Sequence, residues 1–362
     1  MLKQLVFIFS LLGLTTAYAS RPDSTFNSKR SLFVIPFASY QQETKLAGGV
    51  AFGYYFKSND LSKISSISGS ATYTTLNQFI VNVTPKLYSD NKKYFLYANL
   101  NIRKYPDYFY GTGNKSGSFK TGFTSTGVHL TVQPQYRINK NLYAGIQLGY
   151  KTERISQYPD SGTTEFIYAE FGKSGWDKYQ LLSMGINCTY DTRDNAFYPE
   201  KGVFLKTNMN SSPKLLPKSY QLIEAKVDFR TFIPLSPGNI LAIQLYNSII
   251  AGKTEIPFQL LQSPGGADLM RGFRYGQYRD NWLILAQAEY RLSVYKRLKA
   301  ALFVSTGDVI HIKNSEIDKL KVSYGAGVRY RLNDARVHFR FDIAKNNYGD
   351  KWQFYITATE AF

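Results

Sequence analysis

Apolar and aromatic side chains alternate with polar side chains or glycine along most of the chain, with a period of two residues. Clear examples are LAGGVAFGYYF at 46–56, FIVNVTPKLY at 79–88 and VHFRFDIA at 337–344. Successive side chains of a β-strand point to opposite faces, so this alternation predicts strands with one apolar and one polar face. We find no window of comparable length with the 3.6-residue period of an amphipathic helix.

Turn-forming clusters separate these stretches, for example SDNKK at 89–93 and SPGN at 236–239. The pattern predicts about sixteen strands of about ten residues, the length that crosses a bilayer when tilted. The predicted strands begin near residues 33, 46, 63, 78, 94, 123, 141, 178, 202, 219, 240, 282, 297, 321, 335 and 352.

The lengths of the predicted connections favour a membrane barrel. An even number of strands places both chain ends on one side, and the short turns then fall on that side. The long connections, about 105–122, 153–177, 251–281 and 308–320, fall on the other. We therefore expect an all-β transmembrane antiparallel barrel with short periplasmic turns. A soluble secreted sandwich or an array of small β-domains is the alternative, although no linker divides the chain after residue 30.

The aromatic content supports the barrel. The chain of 362 residues contains 29 Tyr and 25 Phe, while hydrophobic residues make up only 44%. Membrane barrels combine aromatic girdles at both interfaces with a polar lumen, which produces this balance. A soluble core of this size would use more Leu, Ile and Val.

The first residues resemble a secretory signal peptide over 1–19. Lys3 precedes an apolar run from Leu5 to Leu14, and Ala17-Tyr18-Ala19 provides a small-x-small cleavage site. A membrane-spanning helix would need about 20 apolar residues, so this reading is excluded by length. We expect export to the outer membrane of a Gram-negative cell, a short periplasmic segment over 20–32 and the barrel over 33–362.

The net charge of +18 restricts the partners. An exported chain rarely meets nucleic acid, so we expect anionic lipid head groups, including lipopolysaccharide, or an acidic polypeptide client instead.

Catalysis and metal binding are not expected. The histidines are His129, His311 and His338, and no nucleophile motif or metal-ligand spacing accompanies them. The single cysteine, Cys188, excludes an intramolecular disulfide. We therefore predict neither an enzyme nor a cofactor.

The longest predicted connection contains the Gly- and Arg-rich stretch GGADLMRGFRYGQYRDNW at 265–282. An arginine carried into a barrel lumen needs a carboxylate partner. Alternation places Glu289 and Asp342 on lumen faces, so we expect Glu289 to pair with Arg271, with Asp342 as a further acid. The alternative is that both acids only make the lumen face hydrophilic and pair with no arginine of the loop.

Met270-Arg271-Gly272-Phe273 resembles the hydrophobic-Arg-Gly-aromatic tetrad of the Omp85 superfamily, the bacterial surface antigen family of outer-membrane insertases and translocases. Asp191, Arg193, Asp194, Tyr198, Pro199 and Gly202 resemble the family's turn before the ninth strand. Further similar segments are YFYGTGN at 108–114 and AEYRL at 288–292, and the chain ends in Phe362, as many outer-membrane barrels do.

The resemblance implies that the loop between strands 11 and 12 folds back into the lumen and is held there by its arginine. It also implies insertion or translocation of proteins, alone or as an accessory subunit, through a seam between the first and last strands. Unfolded outer-membrane proteins or assembly subunits would be the partners. The first strand carries Pro36, which donates no ladder hydrogen bond, and a weakly paired first strand is compatible with such a seam.

Two features depart from the family pattern. Ser305 stands where the family usually has an aspartate, and Glu289 or Asp342 would then replace the missing charge. Only about a dozen residues separate the predicted cleavage site from the first predicted strand, so we expect no polypeptide-transport-associated (POTRA) domains. The alternative function is a surface barrel or anion channel without insertase activity, lined by Arg103, Arg137, Arg329, Arg331 and Arg340.

Overall fold

The chain forms a closed barrel of sixteen antiparallel strands in a computed structural model. The structure describes residues 30–56, 65–114, 119–157, 159–313, 320–333, 336–358 and 360–362. The strands are β1 (Arg30–Gln41), β2 (Lys45–Phe56), β3 (Ser65–Thr74), β4 (Phe79–Tyr88), β5 (Tyr94–Phe109), β6 (Thr121–Arg137), β7 (Leu142–Gln157), β8 (Tyr179–Asp191), β9 (Gly202–Ser212), β10 (Leu222–Ser236), β11 (Asn239–Gly252), β12 (Trp282–Tyr295), β13 (Leu298–Ile310), β14 (Lys321–Arg331), β15 (His338–Asn346) and β16 (Gln353–Ala358).

The predicted fold class is confirmed, and every strand begins within three residues of its predicted start. β1 begins at Arg30 rather than at 33, so it includes part of the segment predicted to precede the barrel. β16 ends at Ala358, whereas the predicted last strand continued towards the chain end. The predicted signal peptide over 1–19 lies outside the described residues.

The connection between β7 and β8 contains a helix, α1 (Ser161–Phe171). The sequence, which shows no long window with a 3.6-residue period, did not predict this short helix. Asp160 caps the helix by accepting a hydrogen bond from the Thr163 backbone N–H at 2.9 Å. Only Ile167 of the helix is buried, so its sequence has no regular apolar face to detect. No helix among the described residues is long and apolar enough to cross a membrane.

Aromatic side chains close the outer end of the barrel beside α1. Phe109 and Phe123 at the outer ends of β5 and β6 pack against Trp176 and Phe258 from two outer loops. Their ring centroids lie 4.8–5.9 Å apart in largely edge-to-face arrangements, which stabilise this aromatic cluster. The side of the barrel wall that faces away from the lumen is also apolar, with Met184 62% and Ile186 64% exposed.

Candidate functional site in the lumen and at the seam

The loop between β11 and β12, residues 253–281, folds into the barrel interior. Met270, Arg271 and Phe273 are fully buried there. Gly272 has φ +105°, and an added Cβ would lie 3.0 Å from the Lys345 carbonyl oxygen, so the backbone approaches the wall closely. The Gly272 N–H donates to the Tyr355 hydroxyl at 2.9 Å. The wall therefore holds the loop through backbone contacts as well as side chains.

The Arg271 guanidinium lies between two carboxylates of the lumen wall. Its Nη2 is 2.6 Å from Glu289 Oε2, and its Nη1 is 2.5 Å from Asp342 Oδ2. The guanidinium also lies 3.5 Å from the centroid of the Phe303 ring. The side chains of Arg271, Glu289 and Asp342 are fully buried, so water does not weaken these contacts.

Two further arginines extend this ion-pair network to the chain end. Arg329 Nη2 lies 3.2 Å from Glu289 Oε2, and Arg329 Nε lies 2.9 Å from Glu360 Oε2. Arg291 Nε lies 2.8 Å from Glu289 Oε1, while its Nη2 donates to the Phe362 carbonyl oxygen at 2.8 Å. The network thus joins the inserted loop, β12, β14, β15 and the residues after β16.

Two of the arginines that were predicted to line a channel have a different role in the structure. Arg329 and Arg340 are at most 1% exposed and contact carboxylates, so they brace the inserted loop instead of presenting free charge to the lumen. Their lumen parity was evident from the sequence. Their contacts were not, because parity gives the face of a strand but not distances across a barrel.

Ser305, which stands at the family's aspartate position, contributes without charge. Its hydroxyl donates to Gln287 Oε1 at 3.1 Å, and the same oxygen accepts the Met270 N–H at 3.1 Å. Glu289 and Asp342 provide the carboxylates for Arg271. Asp308, three residues after Ser305, lies at the outer end of β13 and pairs with Lys321 instead.

The residues after β16 turn into the lumen. Phe362 is 3% exposed and packs among Tyr198, Phe232 and Ile240 at the end of the barrel that carries the short turns. Phe362, proposed from the sequence as a terminal barrel signal, therefore lies inside the barrel and not on a lipid-facing strand. Tyr198 reaches this cluster from the turn between β8 and β9.

That turn contains the predicted Asp191, Arg193, Asp194, Pro199 and Gly202. Arg193 forms two hydrogen bonds to Asp191, at 2.9 and 2.8 Å. Asp194 accepts hydrogen bonds from the backbone N–H groups of Glu200 and Lys201. Its carboxylate also lies 2.7 Å from the guanidinium of Arg336 in the β14–β15 turn. Burial acts to raise the pKa of Asp194, but these donors outweigh it and lower that pKa. Pro199 is buried, and Gly202 has φ +110°.

The tip of the inserted loop contacts the β1–β2 turn. Arg274 donates to the Gln42 carbonyl oxygen at 3.1 Å and lies 2.6 Å from Asp107 of β5. The Tyr275 N–H donates to Glu43 Oε1 at 2.6 Å. Burial raises the pKa of Glu43, partly opposed by the Tyr275 N–H. The loop therefore spans the lumen from the β12–β15 wall to the outer end of β1.

The seam between β1 and β16 is almost unpaired. β1 forms twelve consecutive residue pairs with β2, from Arg30–Phe56 to Gln41–Lys45. Its other edge forms one pair, Tyr40–Ile356, with β16. β16 is only six residues long, and the chain then enters the lumen. Residues 31–39 of β1 consequently pair with no residue of β16 within the described part of the chain.

The family of the chain follows from comparison with known protein families. The Omp85 superfamily domain model matches residues 63–362. The chain belongs to the Omp85 superfamily. The barrels of this family are outer-membrane proteins. A comparison with curated protein sequences gives no match.

Solved Omp85-type barrels have a similar fold. BamA from Haemophilus ducreyi lacking POTRA domains 1–3 gives a TM-score of 0.65 at 13% identity, over 91% of this chain and 70% of that chain. CdiB from Acinetobacter baumannii gives 0.57 at 13% identity, over 91% of this chain and 60% of that one. CdiB from Escherichia coli gives 0.60 at 12% identity, over 93% and 63%. The chain thus spans less than two thirds of either CdiB chain, and these likenesses concern the fold alone.

Proposed function

We propose that this Omp85 barrel inserts polypeptides into the outer membrane of a Gram-negative bacterium, or translocates them across it, by receiving them at the β1–β16 seam. The observation that carries the proposal is the free edge of β1 over residues 31–39. Unfolded outer-membrane proteins would be the clients, and assembly subunits the further partners.

An unpaired strand edge facing lipid is energetically unfavourable, because hydrocarbon satisfies no backbone N–H or C=O group. An incoming strand removes this cost by adding to the edge through main-chain hydrogen bonds. Such pairing depends little on client sequence, as a general insertion site requires. Pro36 lies within this edge strand, at a position compatible with weak pairing.

The lumen network supports a fixed side of the seam. β15 pairs with β16 over six residues, and Asp342 of β15 contacts Arg271 of the inserted loop. β16 is therefore tied through β15 to the most heavily braced part of the wall. Opening at the seam would then move β1 and not β16.

The test is a disulfide across the seam. Tyr40→Cys with Ile356→Cys, in a Cys188→Ser background, joins the one paired position of the seam. Oxidation is expected to reduce insertion of an unfolded outer-membrane barrel into proteoliposomes at least tenfold, and dithiothreitol is expected to restore it.

The matched control is Ser39→Cys with Ala47→Cys, which joins an already paired position of β1 and β2. This control is expected to retain activity when oxidised. Full activity of the oxidised seam variant would reject the seam as the site. Absence of insertion by the wild type, together with anion conductance, would instead favour the channel alternative.

A further inference from the structure

A cavity of about 400 Å³ lies at the outer end of the seam. Its walls come from the β1–β2 turn, the tip of the inserted loop and the connection between β15 and β16. The residues that define its chemistry are Gln42, Lys45, Arg274, Lys351, Trp352 and Gln353. The ion-pair network around Arg271 does not line this cavity, whereas Tyr40 of the seam pair does.

Three lining residues carry buried polar atoms with no hydrogen-bond partner among the described residues. These atoms are Arg274 Nε, Gln42 Oε1 and Gln353 Nε2. The residues Arg274 and Gln353 are only 6% and 5% exposed, although the cavity reaches their side chains. Buried donors and acceptors are rarely left unpaired, because each costs free energy. Two unpaired donors and one unpaired acceptor therefore belong to residues that line the cavity, which favours a polar ligand.

The cavity is also positively charged. Lys45 and Lys351 are exposed at its rim, and neither forms an ion pair within the described residues. Asp350 lines the cavity as well, where it accepts a hydrogen bond from Asn346 at 2.8 Å, and it offsets only part of this charge. The Arg274 charge is matched separately by Asp107. The positive charges of Lys45 and Lys351 then exceed the negative charge of Asp350, and this favours an anionic ligand.

The cavity opens at the level of the outer membrane interface. Trp352 and Phe354 line it and are 47% and 42% exposed on the wall. Exposed aromatic side chains mark the interface between hydrocarbon and head groups. The ligand therefore approaches from the outer leaflet, and its anionic group lies at head-group height.

The geometry points to a binding site for the phosphorylated sugar head group of an outer-leaflet glycolipid, of the lipid A class. Lys45, Lys351 and Arg274 Nε would contact the phosphate. Gln42 Oε1 and Gln353 Nε2 would pair with sugar hydroxyl groups. A lipid bound here lies between the outer ends of β1 and β16, at the exit of the proposed insertion path.

The experiment measures binding of bisphosphorylated lipid A to the full chain in detergent, by native mass spectrometry. Lys45→Gln with Lys351→Gln is expected to weaken binding by about tenfold or more, since two charge-assisted contacts are lost. Gln42→Met is expected to weaken it less. Lys214→Gln with Lys253→Gln removes two exposed outer lysines near β9–β11, across the barrel, and is expected to have no effect.

The head-group chemistry is tested by dephosphorylated lipid A and by inorganic phosphate. Dephosphorylated lipid A is expected to bind at least tenfold more weakly, and millimolar inorganic phosphate is expected to leave lipid A bound. Equal binding of the dephosphorylated lipid, or equal losses in both lysine pairs, would overturn the site. Displacement by inorganic phosphate would overturn the lipid assignment. The seam disulfide test measures insertion and its reversal by dithiothreitol, so its outcome is distinguishable from these, although Tyr40 also lines the cavity.

Discussion

The two flanks of the seam are built from different interactions. On the β16 side, the lumen faces of β12–β15 carry buried arginines and carboxylates that also hold the inserted loop. On the β1 side, β3 and the part of β2 after Lys45 contain no charged residue. There, the Phe33 and Phe37 rings lie over Gly53 and Gly49 of the neighbouring strand.

The difference affects how each flank responds to deformation. Buried ion pairs require close, directional geometry, so the β12–β15 flank resists small shifts. Rings packed over glycine are held by dispersion and burial, which have little directionality. We therefore infer that β1–β3 form the compliant flank and β12–β15 the fixed one, with the single Tyr40–Ile356 pair between them.

The largest expected effect is that of breaking the fixed flank with Arg271→Ala. This change leaves Glu289 and Asp342 buried with less compensating charge, and loss of one partner of a buried pair costs about 3–5 kcal/mol. Denaturant unfolding of the folded barrel, followed by tryptophan fluorescence, measures the loss. Arg271→Lys is expected to recover only part of it, because an ammonium group does not reach two carboxylates as a planar guanidinium does.

Arg297→Ala, at an exposed position of the β12–β13 turn, is the control and is expected to unfold like the wild type. An unchanged midpoint for Arg271→Ala would show that Arg291, Arg329 and Arg340 suffice to neutralise the acids. The fixed flank would then not depend on the inserted loop.

Much of this flank was predictable from the sequence, for a physical reason. Strand alternation assigns each residue to one face of the sheet, so it predicted that Glu289 and Asp342 face the lumen. The resemblance to the family tetrad identified Arg271. The contacts of Arg329 with Glu360 and of Arg291 with Phe362 were not predictable. They depend on where β16 ends, and the apolar residues near the chain end also suit a continuing strand.

A pair of glycine substitutions compares the two flanks directly. An added Cβ at Gly327 would collide with Asp342 Oδ1 and lie 2.5 Å from Arg329 Nη1, inside the ion-pair network. We expect Gly327→Ala to cost about 1–3 kcal/mol. At Gly53 the nearest atoms belong to the Phe33 ring, which can rotate away, so Gly53→Ala is expected to change stability by less than about 1 kcal/mol.

The same unfolding experiment measures both variants, and each is the other's control for the loss of a glycine in a strand. Equal losses at the two positions would contradict the division into a fixed and a compliant flank. A larger loss at Gly53 would reverse it.

The smallest expected effect lies at the short-turn end of the fixed flank, where Asp194 joins the β8–β9 turn to Arg336. Asp194→Asn keeps an oxygen for the backbone donors but removes the charge. We expect a loss of about 1 kcal/mol at neutral pH, because the pair is partly exposed and screened by water. Asp90→Asn, at an exposed position in the β4–β5 turn, is the control for loss of charge and is expected to have no effect.

The dependence on pH separates this ion pair from a packing effect. The pKa of Asp194 in the folded protein lies below the ordinary value of 3.8, so the folded state favours its charged form. Its contribution is therefore fully present above the unfolded value and is lost as the pH falls through the lower, folded value. The unfolding midpoints of wild type and Asp194→Asn should converge on acidification. A gap that persists at the lowest pH at which the barrel stays folded would mean that shape, and not charge, joins the two turns.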